Sequence, residues 1–434
     1  MNTMQGVAGG GLPAQLPLRH RTPAIGDSTT MTETQAYYHL RKPQFSIDPK
    51  SDASFYFDGT PLHERLIRHL RMQFVEAPGV PRFFVLGQYG AGKTHTLWHL
   101  HYELLNGKLF QQHKTLPMLV TLQSLNARER WITVHRKLVD AIGLDLVRKA
   151  IAGVMSGAVP GSDPLDVFRQ PGLILFGESG LKSSQAHIYR NLLYGGRQAA
   201  ISWEWLKGTA LSVTDAATLG LETQLAEPSQ LIDALFNIGR LIQLGLGSRV
   251  ILLIDEAEVL RSVTHPDSHN EFVHSFRRLV GEENNVLGIV IAYQMEGDME
   301  DSPPILWDLS VRRRVGHEAG YIDLKDLMLN PEDARKFIVD ALRYLVDQDA
   351  ARETIRTAHL DTEPEFFPFT ENAVDRIAQY VTEEPERLLP SQIIDKMSKA
   401  VATAKLRDED EGVDVPRTIG DDIVELVLYP GEAQ

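Results

Sequence analysis

Apolar residues recur along this chain in two different rhythms. Leu62, Leu66, Leu70 and Phe74 fall four residues apart and predict a helix from about Pro61. The run Phe83-Phe84-Val85-Leu86 then closes on a glycine, as a strand buried on both faces does. A helix is expected to open at about Lys93 and run towards Leu105. Leu119–Leu122, Val250–Ile254 and Leu287–Tyr293 repeat the buried-strand pattern, and Tyr321–Leu324 is a shorter fifth run. Strands alternating with helical stretches predict an α/β fold, a parallel sheet with helices on both faces.

From Asn330 onward the pattern is helical only. Asn330-Pro331-Glu332-Asp333 sets an N-cap, a first-turn proline and two acids before Phe337, Ile338, Ala341 and Leu345. Thr370 is expected to cap a second helix, with Val374, Ile377, Ala378 and Val381 inward. A third is expected from about Pro390 to Ala404, carrying Ile393, Ile394, Met397 and Val401. Residues 1–35 are rich in Gly, Pro, Thr and Gln without apolar period, and read as a disordered extension. The organisation expected is an α/β domain over 36–325 with a long insertion at about 124–245, an all-helical lid over 326–405, and a tail over 406–434.

Composition narrows the function. The 434 residues include no cysteine, which removes disulfides, thiolate metal sites and cysteine nucleophiles, and fits a cytoplasmic location. No apolar stretch approaches the ~18 residues of a membrane span, so no membrane partner is expected. The net charge of −14 argues against coating nucleic acid by bulk electrostatics. Half of that excess lies in Leu406–Gln434, where nine acids face two arginines, so the body is close to balanced.

The chemistry sits on two motifs. Gly87-Gln88-Tyr89-Gly90-Ala91-Gly92-Lys93-Thr94 fits the phosphate-binding loop G-x-x-x-x-G-K-[ST] at every required position, between a strand and a helix. The glycines let backbone N–H groups converge on phosphate oxygens, and the helix N-terminus adds its positive end. Lys93 is expected to reach the β- and γ-phosphates and Thr94 to ligate Mg²⁺. Ile251-Leu252-Leu253-Ile254-Asp255-Glu256 places two acids at a strand's C-terminal end, where open α/β sheets bind ligands. Asp255 would hold Mg²⁺ through its water shell, and Glu256 would polarise the attacking water. No N-K-x-D element for guanine occurs, so ATP is the expected nucleotide. Leu193-Tyr194-Gly195-Gly196-Arg197-Gln198 faintly echoes a transporter-type ATPase signature but lies too far before Asp255 to serve as one.

The phosphate loop, the Asp-Glu strand and the helical C-terminal region together resemble AAA+ ATPases, in particular the branch of origin-recognition initiators. That resemblance implies further roles. Gln294, after the fourth strand, matches a γ-phosphate sensor, where Asn, Ser or Thr is more usual. One of Arg312, Arg313 and Arg314 would be an arginine finger acting on a neighbouring subunit's ATP. Arg387, in Glu384-Pro385-Glu386-Arg387, matches a lid arginine that senses nucleotide. A narrower similarity, carried by Gly87 to His95 and by Trp203-Glu204-Trp205-Leu206-Lys207-Gly208 with Leu219-Gly220, is to ATP-binding proteins of BREX-type phage-defence islands. It implies a homo-oligomer working with protein partners in a multi-component, anti-phage or nucleic-acid-processing system. Without a winged-helix reader after the lid, DNA contact is expected to be indirect or weak. A transposition- or initiator-type regulator that assembles on DNA and a nucleotide-gated scaffold with little hydrolysis are the alternatives.

Two groups of residues read as bystanders. His95, His99 and His101 share a helix without a carboxylate to complete a metal set, so packing is expected of them. His265 and His269 flank Pro-Asp-Ser and read as loop residues. Of Trp203 and Trp205, at least one is expected in the core.

Overall fold

The computed structural model describes residues 33–57, 66, 68, 80–107, 114–295, 303–315, 320–324, 330–383 and 389–429. Five strands, β1 (Arg82–Gly87), β2 (Thr115–Thr121), β3 (Arg249–Asp255), β4 (Leu287–Gln294) and β5 (Tyr321–Asp323), form one sheet in the order β2-β3-β4-β1-β5. Every pairing is parallel. The apolar runs are continuous because both faces are covered, and alternate residues serve opposite cores. Phe83, Val85, Ile251, Leu253, Val290 and Ala292 pack against Leu97, Leu100 and Leu104 of the helix Lys93–Asn106. Phe84, Leu86, Leu252, Ile254, Ile289 and Ile291 face the larger core built with the insertion.

β2 begins four residues before the apolar run that announces it and contains Pro117. It is an edge strand, where a missing N–H costs no ladder bond on the open side. The helix expected from Pro61 lies almost wholly outside the described residues, although Leu66 and Arg68 are helical and Leu66 is buried.

The insertion is helical from Trp131 to Leu246. Its helix Leu144–Ser156 runs so close to Pro228–Leu246 that a Cβ on Gly153 would lie 2.0 Å from the Gly245 carbonyl oxygen. Trp205 is fully buried and donates to the Thr223 carbonyl at 3.1 Å, while Trp203 is half-buried. Pro266-Asp267-Ser268 is the first turn of the helix Pro266–Leu279, not a loop. His265 is its N-cap residue and His269 lies within it.

The C-terminal region packs helices Pro331–Leu345, Gln348–Ala358, Glu371–Glu383, Pro390–Asp410 and Asp421–Leu428 around a separate core. The Asn330 side chain caps the first by accepting from Asp333 N–H at 2.8 Å. Thr370 caps the third through Ala373 N–H at 3.2 Å. Three boundaries differ from the sequence reading. A short helix, Glu33–Tyr37, overlaps the end of the stretch read as disordered, the rest of which lies outside the described residues. Tyr38, Leu40, Phe45 and Phe57, assigned above to the sheet domain, are buried in the lid core. The acidic tail is not detached, because Ile423, Val424 and Leu428 enter that core while Arg407 pairs Asp422 at 2.5 Å. Its charge count hid a short amphipathic helix. A parallel sheet flanked by helices and followed by a mostly helical region is the architecture the AAA+ resemblance implies.

Candidate functional site

The phosphate loop joins β1 to the helix Lys93–Asn106, and two of its glycines take left-handed backbone, with φ of 81° at Gly90 and 90° at Gly92. Few side chains accept that conformation, which is why glycine stands at both positions. Nothing stands within 4 Å of where a Gly92 Cβ would be. Lys93 is buried, and its ammonium donates to the carbonyls of Gly87 at 3.1 Å and Gln88 at 3.0 Å. Burial lowers its pKa, against the opposing pull of Glu258 and Asp255. Among the described residues its hydrogen-bond partners are carbonyls of its own loop, which an anion could displace.

Asp255 ends β3 and is 4% exposed. Burial raises its pKa, while the nearby Thr94 side chain and the Glu256 N–H, which donates to Asp255 Oδ1 at 3.0 Å, oppose the rise. A buried carboxylate and a threonine hydroxyl on one cavity wall are an all-oxygen pair suited to a hard divalent cation such as Mg²⁺. Glu256 follows in left-handed backbone, φ 57° and ψ 35°, which turns the chain sharply and leaves its side chain exposed. Partial desolvation at the cavity wall, then the charges of Asp255 and Glu258, raise its carboxyl above the usual range. Such a carboxylate is a stronger base than a free one.

Gln294 reaches the same place through the sheet. It ends β4, which lies between β1 and β3, and it is in register with Gly87. Gln294 N–H donates to Glu258 Oε2 at 3.2 Å, and its carbonyl accepts from Arg261 Nη2 at 3.2 Å. Glu258 was missed in the sequence. Its signal is the third acid in Asp255-Glu256-Ala257-Glu258, two residues past the pair the motif asks for.

A cavity of about 550 Å³ opens beside these groups, within the range of small-molecule sites. Its walls include Tyr89 to His95, Asp255, Glu256, Glu258 and Gln294. The lid contributes Phe337, Ser391, Ile394 and Asp395, and the segment 45–57 contributes Phe45, Ile47 and Tyr56. The sequence offered no signal for these lid and N-terminal walls. Ser391 Oγ donates to the Gly90 carbonyl at 2.9 Å, so the lid touches the loop directly. The histidines hold the N-terminal segment in place. His95 donates to the Phe55 carbonyl and His99 Nδ1 to Ala53 at 2.9 Å, while the Tyr56 ring stacks on His99 with centroids 4.3 Å apart. Among the described residues no cluster of three His, Asp or Glu side chains is disposed to hold a metal.

Other expected residues lie elsewhere. The helix Leu309–Val315 carries the arginine triplet, and none of the three lines the cavity. Arg312 lies 3.7 Å over the Trp307 ring. Arg314 donates to the Ser310 carbonyl at 2.9 Å, and Arg313 and Arg314 are exposed. Gln88 and Tyr89 are exposed at the loop tip, Tyr89 to 83%. Arg387 lies outside the described residues.

No family model matches the chain, and no curated protein does. Among solved structures it is similar to the Aeropyrum pernix ORC2 protein in its ADPNP–ADP complexes, at 11% identity over 87% of this chain and 70% of that one, with a TM-score of 0.39. The ADP form of the same protein gives 11% identity, 87% and 72% coverage and a TM-score of 0.37. The Walker-type ATPase of Pyrococcus abyssi gives 13% identity, 85% and 79% coverage and a TM-score of 0.31. Identities this low speak to no residue of the site.

Proposed function

We propose that this protein binds ATP with Mg²⁺ and hydrolyses it, as a nucleotide-driven switch between the sheet domain and the helical lid. One observation carries the reading: Lys93 and Thr94 of the phosphate loop and Asp255 and Glu256, at the end of a strand about 160 residues away, line one cavity. In that arrangement Thr94 and Asp255 would hold Mg²⁺, which neutralises charge on the phosphates. Lys93 would exchange two loop carbonyls for phosphate oxygens, a charge-assisted bond for a neutral one. Glu256 would accept the proton of the attacking water, and the Gln294 amide would face the terminal phosphate. Tyr56, Phe45, Ile47, Phe337 and Ile394 offer an apolar wall for a base.

In the same reading the chain is a homo-oligomer, and Arg313 or Arg314 is the arginine lent to a neighbour's ATP. Arg312 is the weaker candidate because it already lies over the Trp307 ring. The similarity to BREX-type ATP-binding proteins supports a place in a multi-protein, nucleic-acid-processing or anti-phage system, with the helical insertion as the surface for partners. The direct test is equilibrium titration with Mg·ATP followed by phosphate release with and without DNA. Failure of the wild-type chain to bind Mg·ATP would refute the proposal. DNA-indifferent, very slow turnover would favour a nucleotide-gated scaffold.

A further inference from the structure

The turn after the acid strand grips the neighbouring strand from both sides. Gln294 N–H donates to Glu258 and its carbonyl accepts from Arg261, and both side chains belong to the single 3₁₀ turn Ala257–Ser262. β3 and β4 pair only as far as Ile254 with Ile291, three residues short of Gln294. Beyond that register the turn's side chains take over the bonding of the backbone. The next residue, Met295, donates its N–H to the Gly87 carbonyl at 3.1 Å, the same oxygen that receives the Lys93 ammonium. The end of β4 is thus bonded to the acid turn and to the phosphate loop at adjacent peptides.

Building on the ATPase reading above, we propose that Glu258 and Arg261 are positioning residues that clamp the Gln294 backbone, so that its side-chain amide meets the terminal phosphate during hydrolysis. Glu258 lines the cavity and Arg261 does not, so Arg261 reaches the site through its bond to the Gln294 carbonyl. The clamp holds an amide that matters at the transition state, whereas affinity rests on Lys93, Thr94 and the loop N–H groups. Its loss therefore slows turnover without releasing nucleotide. Displacing a positioned group by about 1 Å is enough for a ~10²-fold loss.

The test uses the full chain, with Mg·ATP affinity, phosphate release at saturating ATP and melting temperature measured for each variant. Glu258→Ala and Arg261→Ala should each slow turnover by about 10- to 100-fold, with affinity within about threefold of wild type. Glu258→Gln keeps an oxygen that accepts from Gln294 N–H and should lose no more than about threefold. The double Ala variant should be little slower than the worse single one, because both changes break one device. Hydrogen exchange over residues 287–295 should quicken in the Ala variants even without nucleotide. Wild-type turnover in both Ala variants, with Glu256→Gln still inactive, overturns the clamp and leaves the ATPase reading standing. Glu258→Gln as slow as Glu258→Ala also overturns it, since Glu258 then acts by charge. If Glu258→Ala does not fold, Arg261→Ala decides alone: unchanged turnover there refutes the clamp. A wild-type chain that binds no ATP brings down both proposals.

Discussion

Gly87 and Gln294 are paired in register across β1 and β4, although 207 residues separate them. That single pairing sets the last residue of one strand beside the first residue of the phosphate loop. With β3 on the far side of β4, the loop, Gln294 and Asp255 follow one another along the C-terminal edge of the sheet.

Lys93→Ala should weaken Mg·ATP binding by a few kcal/mol, the order of two charge-assisted hydrogen bonds. Its partners in the structure are carbonyls of its own loop, so the melting temperature should hold. Titration of the variant against Mg·ATP checks this, and unchanged affinity would contradict the role given to the loop.

Glu256→Gln should retain nucleotide and lose turnover by about 10²–10⁴. Because burial and the flanking acids raise the Glu256 pKa, wild-type kcat/KM should fall on the acid side at a pH above the ordinary carboxylate range. The protonated carboxyl cannot take a proton, so activity is lost as pH drops through the raised value. A pH profile with that acid limb absent from wild type counts against Glu256 as the base.

His135 should make the insertion acid-sensitive. It is fully buried, donates from Nε2 to the Leu206 carbonyl at 2.8 Å, and desolvation holds its pKa down at about 4. The unfolded chain binds this proton near pH 6.5 and the folded chain does not. Stability is therefore complete above pH 6.5 and declines as pH falls towards 4, by about 3 kcal/mol in all. Denaturant melts of wild type and His135→Leu across that window should show the slope flattened in the variant, with a loss of about 1 kcal/mol at neutral pH for the missing hydrogen bond. Parallel slopes in the two proteins would place the acid sensitivity elsewhere.

Arg313→Ala should bind ATP normally and hydrolyse it poorly if this arginine completes a neighbour's site, an effect worth ~10³ or more in rate. Mixing it with Glu256→Gln protein is the sharper measurement, since one chain keeps the base and the other can lend the arginine. Mixed assemblies should recover turnover that neither variant has alone. Co-assembly without recovery rules out Arg313 acting in trans, and the same mixture with Arg314→Ala tests its neighbour.

Local motifs were legible in the sequence wherever they depend on adjacent residues. A phosphate loop needs glycines, a lysine and a threonine at consecutive positions, and a buried strand ending in acids needs only its own run, so Gly87–Thr94 and Ile251–Glu256 announced themselves. Helix caps at Asn330 and Thr370 were readable for the same reason. Pro117 and the polar start of β2 hid that strand's true beginning, because an edge strand tolerates what a central one excludes. The tail's nine acids masked Ile423, Val424 and Leu428, whose burial depends on the lid they meet.

What no local pattern could decide is which distant residues become neighbours. Strand order is a property of crossovers, and it alone sets β4 between the phosphate loop and the acid strand, bringing Gln294 to Gly87 and Glu258 to Gln294. The cavity's roof has the same origin. Tyr56 on His99, Phe55 held by His95, and Ser391 on Gly90 join three segments that are remote in sequence, and each contact exists only because separate apolar faces had to be buried against one another. Short-range spacing in the sequence singled out Lys93, Thr94, Asp255 and Glu256; their convergence in one cleft is the work of long-range packing.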